Sequence, residues 1–193
     1  MPTVAPFPEQ LSTPRLTLRR YRTSDAAAIR RLIDSNRDRL LQDFPDIARG
    51  FMTIEASQAH LDDRATQWNE RRSFCYGIWQ HEGGELRGQL TVKNIVWNLP
   101  SAELSYFVGA AWARQGVATE AIAAVLSVAF ELRAFSRIYV RVIASNTGSL
   151  ALARKLGFQE EGLHRNEFRC GRGQIHDVHY LSMTDRDYRA RHG

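Results

Sequence analysis

The chain has 193 residues, 44% of them hydrophobic and 24% charged, and 26 basic against 21 acidic side chains give a net charge of +5. That composition suits a globular protein of one domain, long enough to bury its own core, and it holds no run of eighteen apolar residues that could span a bilayer. All but two of the basic residues are arginines scattered along the sequence, so the charge argues for an anionic ligand more than for a nucleic-acid track.

The opening "MPTVAPFPEQ" lacks the basic start and apolar stretch of a signal peptide, and residues 1–10 read as a loose tail. Cys75 and Cys170 are too few for a disulfide framework. A reduced, cytoplasmic setting is the resulting expectation. Next, "RLTLRRYRTSDAAAIRRLI" (15–33) begins with strand alternation and passes into a helix, with Ser24 offering a cap and Asp25 placed well for the helix dipole. "NRDRLLQDFP" (36–45) joins it to a second helix over about 55–71, where Ala59, Ala65 and Trp68 are expected to face inward. "FCYGIWQHEGGELRGQLTVKNIV" (74–96) predicts a hairpin turning at the paired glycines. "AELSYFV" (102–108) is a further strand.

The stretch "ARQGVATEA" (113–121) then leads into a helix whose small or apolar residues are Ala118, Ala121, Ile122, Val125, Leu126, Ala129 and Phe130, a spacing of three and four that defines one helical face. "RIYVRVI" (137–143) predicts a buried strand, and "SNTGSLALARKLGF" (145–158) a short helix closed by Gly157. The chain ends in two strands joined at "GRG" (171–173). In the returning strand, alternation sends His176 and His179 to opposite faces, poor geometry for sharing one ion, and with no CxxC or HExxH spacing no metal site is expected. The order predicts a mixed α/β fold: a central, mostly antiparallel twisted sheet of about seven strands with helices on both faces.

A helix N-terminus carries unpaired N–H groups and roughly half a positive charge. At Gly116 the backbone can approach an anion closely, and Ala118 keeps the next turn uncrowded, so a diphosphate would fit there, with Arg114 adding charge. A plain strand-to-helix turn would use the same glycine. The stretch is neither a dinucleotide fingerprint nor a Walker loop.

The wider pattern resolves this. "AELSYFVGAAWARQGVATEA" followed by "RIYVRVIASNTGSLALARKLGFQEEG" resembles the GNAT acyltransferases, and among them the ribosomal-protein N-terminal acetyltransferase branch. "GVATEA" matches the pyrophosphate loop, Asn146, Ser149 and Lys155–Phe158 match the late helix, and Glu103 matches an acidic position in the strand before the loop. One departure is Ala113, where the family usually has Gln or Arg; here the basic residue is its neighbour Arg114. The resemblance implies acetyl-coenzyme A as acyl donor. Its pyrophosphate would lie on the amides of Arg114, Gln115, Gly116, Val117, Ala118 and Thr119. Its pantetheine arm would pair with the backbone of Phe107 and Val108, and Asn146 would lie beside that arm.

Acyl transfer to an amine requires a neutral nitrogen, a polarised carbonyl and a stabilised leaving thiolate. Neutralising an α-amine at pH 7 costs about 1.1 kcal/mol, against about 4.6 for a lysine, so a modest base suffices for a chain terminus. Glu103 is the candidate base, through a water, and Ser149 the candidate donor to the thiolate, with Tyr106 and Tyr139 as runners-up. Cys75 has no His–Asp pairing that would make it a nucleophile. Asp177 and His179 read as structural or acceptor-side hydrogen-bonders, and Trp97 and Trp112 as packing residues. The leading expectation is N-acetylation of a protein α-amine, a ribosomal protein foremost. The competing acceptors are a polyamine or an aminoglycoside, and succinyl is a competing acyl group. A non-catalytic acyl-coenzyme A sensor or nucleic-acid binder is the reading of another class. The resemblance also implies a homodimer.

Overall fold

The hydrophobic strands pair into one eight-stranded sheet in the order β1-β2-β3-β4-β5-β6-β8-β7, described in a computed structural model over residues 7–132 and 135–193. The strands are β1 (Gln10–Ser12), β2 (Leu16–Arg20), β3 (Phe74–Gln80), β4 (Leu86–Val96), β5 (Ser101–Val108), β6 (Arg137–Ile143), β7 (Gln159–Arg169) and β8 (Ile175–Thr184). Every neighbouring pair is antiparallel except β5 and β6. The helices are α1 (Ala26–Asp34), α2 (Arg37–Asp43), α3 (Pro45–Gly50), α4 (Ile54–Asn69), α5 (Val117–Ser127), α6 (Thr147–Leu156) and α7 (Asp185–His192), with a wider π turn over Val128–Leu132 continuing α5.

Alternation along the strands divides the core in two. Phe74, Tyr76 and Ile78 of β3 join Leu104 of β5, Ile138, Val140 and Val142 of β6 and the apolar stripe of α5 on one face. Cys75 and Trp79 point the other way, with Phe107, into a layer roofed by α1, α2, α3 and α4. None of the second cluster's buried residues comes from the last three strands, which meet the helical layer at polar contacts such as Gln42 of α2 with His176 of β8.

Four features differ from the sequence reading. The sheet has eight strands, because β1 precedes β2. Residues 7–10 are not a loose tail: Phe7 is buried, stacks on Phe74 at 4.8 Å and meets Phe135 at 5.8 Å, and Pro8 O accepts from Tyr76 Oη. Residues 1–6 of that stretch lie outside the described residues. The segment 36–45 is itself helical, and α7 closes the chain behind a capping box in which Thr184 and Asp187 exchange hydrogen bonds.

Smaller corrections follow the same physics. Ser24 caps nothing; instead Asp25 accepts from Arg22 N at 2.8 Å and from both terminal nitrogens of Arg19 at 2.7 and 2.9 Å. On α4 the inward residues are Ser57, Leu61 and Trp68, while Ala59 is exposed. Leu61 buries more apolar surface than a methyl group can, so the helix rotates to place it inside. Both cysteines are buried and free.

Candidate active site

Gly116 is the N-cap of α5 and takes a left-handed φ of 79°, two residues after Arg114 at 61°. Two left-handed residues this close, at the positive end of a helix, are the kind of backbone that can build an anion-binding concavity. The cradle is bare by construction, since a Cβ at Gly116 would lie 3.1 Å from Arg15 Nη2. Arg15 is locked there by Glu120, with Nε to Oε2 at 2.7 Å, and donates to Gln115 O at 3.1 Å. Residues 113, 114 and 116 to 119 line a cavity of about 500 Å³, so the structure gathers most of the expected phosphate loop at one opening. Gln115 turns its amide back to Ala111 O.

The next feature is a wedge in the sheet. The parallel pairing of β5 and β6 runs only from Ser101↔Arg137 to Glu103↔Tyr139. Beyond that the strands part, and an inner cavity of about 130 Å³ opens between Glu103–Tyr106 and Val140–Ile143. An unpaired strand edge accepts an extended amide-bearing chain by added-strand hydrogen bonding. Phe107 and Val108 sit on the segment that borders the large cavity. At its end the Val108 carbonyl already accepts from Arg39 Nη2.

The inner cavity joins two larger ones. It shares Asp43, Phe44, Tyr106, Asn146 and Ser149 with the first. It shares Asp43, Phe44, Lys93, Ser105 and Phe168 with a third, of about 770 Å³, under the end of α4. The three cavities thus adjoin in series, from the Gly116 loop past the wedge to the space beneath α4.

Glu103 lines the inner cavity and is 4% exposed. Its Oε2 accepts from Asn94 Nδ2 at 2.7 Å and faces Arg141 at 3.9 Å, while Oε1 meets Lys93 Nζ at 3.2 Å. Arg141 in turn bonds Glu167, which also accepts from Tyr180. Asn146 caps α6 by accepting from Ser149 N at 3.0 Å, which points the Ser149 side chain into the passage. The buried Tyr106 hydroxyl turns toward Ser149 without reaching full hydrogen-bonding geometry; desolvation pushes its pKa up to about 12, with Ser149 pulling it back. Tyr139 lines none of the three cavities; burial and then the charge of Glu103 raise its pKa. His176 bonds Gln42, His179 bonds Glu160 at 2.7 Å, and Asp177 accepts from Asn166 N, so these three brace β8 against its neighbours. Trp112 walls the first cavity with Arg87 stacked over its ring, and Trp97 donates to Arg71 O.

His60 lines the third cavity against the Phe51 ring. Desolvation, and then the nearby Arg64, lower its pKa to about 4. The unfolded chain takes up this proton near pH ~6.5 while the fold resists it down to about 4, so stability falls as pH drops through that window. Replacing His60 with Phe is expected to remove about 1 kcal/mol of that loss, a value discounted for partial exposure. Urea midpoints at pH 7 and pH 4.5 check this; parallel losses in both proteins would show that His60 is not responsible.

This chain belongs to the acetyltransferase (GNAT) domain family, which matches residues 15–159. It is an acetyl-coenzyme A-dependent N-acetyltransferase. The uncharacterised N-acetyltransferase YoaA of Bacillus subtilis is 28% identical over 90% of this chain and 96% of its own. The structure is similar to RimL, a ribosomal L7/L12 α-N-protein acetyltransferase in complex with coenzyme A, with a TM-score of 0.83 and 21% identity over 91% of this chain and 98% of that one. It is also similar to a ribosomal-protein-S5-alanine acetyltransferase from Vibrio fischeri, with a TM-score of 0.84 and 19% identity over 93% of this chain and 98% of that one.

Sequence reasoning passes over Arg15, Arg39 and Asp43. The last two lie in the stretch 36–45, between the first two expected helices. Its apolar spacing at Leu40, Leu41 and Phe44 carried the signal: it implies a helix, and a helix puts residues 39 and 43 on one face.

Proposed function

We propose that this enzyme acetylates the α-amine of a protein, with ribosomal proteins the first candidates, and works as one domain in the cytoplasm. The observation that carries the reading is the wedge between β5 and β6, open beside the amide cradle of Gly116 and leading to Glu103. In this reading Arg114 to Thr119 hold the pyrophosphate, the backbone of Phe107 and Val108 holds the pantetheine arm, and Asn146 stands beside it. Bound acetyl-coenzyme A supplies the activated acyl group. Glu103 removes a proton from the acceptor nitrogen through a water, and Ser149 donates a hydrogen bond to the departing sulfur.

The third cavity favours a peptide over a polycation. Four acids, Asp43, Asp46, Asp63 and Glu70, face four bases, Arg64, Arg71, Arg72 and Lys93. A groove that selected polyamines or aminoglycosides would carry an acidic excess. The similarity to RimL, whose described action is on a ribosomal α-amine, supports the same direction. The test is an acceptor screen with purified protein and acetyl-coenzyme A against ribosomal proteins, N-terminal peptides, spermidine and aminoglycosides. Turnover confined to the small amines would overturn the reading.

For the leaving sulfur, Ser149→Ala is expected to lower kcat about 10- to 100-fold. Acetyl-coenzyme A affinity should hold within about twofold, because the α6 cap uses the Ser149 backbone rather than its hydroxyl. A larger loss in Tyr106→Phe would transfer the role to Tyr106.

A further inference from the structure

Asp43 and Phe44 are the two described residues that border all three cavities. Asp43 ends α2, and its Oδ2 accepts from Asn146 Nδ2 at 2.9 Å. No described residue donates to its Oδ1. The charged or titratable groups around it come from several elements. Arg39 shares its helix and is engaged with the Val108 carbonyl, His176 of β8 is engaged with Gln42, and Lys93, Glu103 and Arg141 border the same inner cavity. Burial raises the Asp43 pKa, with Arg39 and then Asn146 opposing.

Glu103 is a poor first contact for a protonated amine. Lys93 and Arg141 flank it, Asn94 fills one oxygen, and an approaching ammonium would meet two cations before the carboxylate. Asp43 borders both the inner cavity and the cavity beneath α4, and Asn146 occupies only one of its oxygens. Phe44 beside it offers an apolar wall for the carbon that bears the nitrogen, its own ring held 5.9 Å from Phe107.

We propose that Asp43 is the seat that captures the acceptor's primary ammonium group and orients it toward the inner cavity. This rests on the amine-acceptor reading and deepens it. Asp43 receives the ammonium by a charged N–H···O bond to Oδ1 and takes no proton. Because an ion pair favours the protonated amine, Asp43 aids capture and not the chemical step, and the two effects separate in KM and kcat.

The test compares wild type, Asp43→Asn and Asp43→Glu. A short peptide with a free N-terminus and the same peptide N-acetylated are each titrated into protein saturated with coenzyme A, and the free peptide is also assayed for turnover. Asn keeps the side-chain shape and an oxygen for Asn146. Expected for Asp43→Asn is a rise of about 10- to 100-fold in KM and in Kd for the free peptide, kcat within about threefold, and partial recovery in Asp43→Glu. Binding of the acetylated peptide and of coenzyme A should change by less than about twofold. Unchanged free-peptide affinity would overturn the proposal. So would equal losses for both peptides, or a matching loss of coenzyme A affinity, since either would mean that Asp43 only props the passage. If wild type neither binds nor acetylates any peptide, the protein-amine reading fails separately. Spermidine and an aminoglycoside then replace the peptide, and Asp43→Asn binding them as well as wild type would overturn the ammonium seat.

Discussion

Gly116→Val is expected to weaken acetyl-coenzyme A binding by about 100-fold, the equivalent of roughly 3 kcal/mol, or two charged hydrogen bonds to phosphate. The cause is local. Gly116 holds φ at 79°, where a β-branched residue is strained, and the new side chain would enter the space that the phosphates need, beside Arg15. Strain alone would lower stability, so Gly116→Asn is the companion variant, because asparagine tolerates the left-handed region. Calorimetric titration with acetyl-coenzyme A, alongside melting curves, separates the two effects. An affinity unaltered in a folded Gly116→Val protein would reduce the loop to a simple turn and remove the basis for the donor site.

Glu103→Gln is expected to lower kcat by about 10²- to 10³-fold while leaving acetyl-coenzyme A affinity within about twofold. The amide keeps an oxygen for Asn94, so the fold should tolerate it, although Lys93 loses its charge partner and Arg141 keeps only Glu167. Turnover equal to wild type at every pH would remove Glu103 from the proton path and leave it as a counter-ion between two cations.

Some of this architecture was legible in the sequence because it rests on near neighbours. The period of α5, the glycine closing α6 at φ 99° and the alternation through β3 to β6 are local signals, and each element stands where its pattern placed it. The left-handed glycine ahead of α5 was legible for the same reason. What the sequence hid depends on contacts distant along the chain. β1 is only three residues long and is held by pairing with β2, while Phe7 gains its place from Phe74 and Phe135. The Asp43 side chain matters because it meets Asn146, 103 positions later. No periodicity announces that meeting.

The parting of β5 from β6 after three paired residues has a consequence for traffic. A seam left open inside the sheet gives the interior two doors. With the donor and acceptor placed as proposed, one at the Gly116 end and one beneath α4, neither would queue behind the other, and each product would keep its own exit. On the proposed reading, a bulky acceptor would stay outside and present only its tip, and selection would fall on its first few atoms.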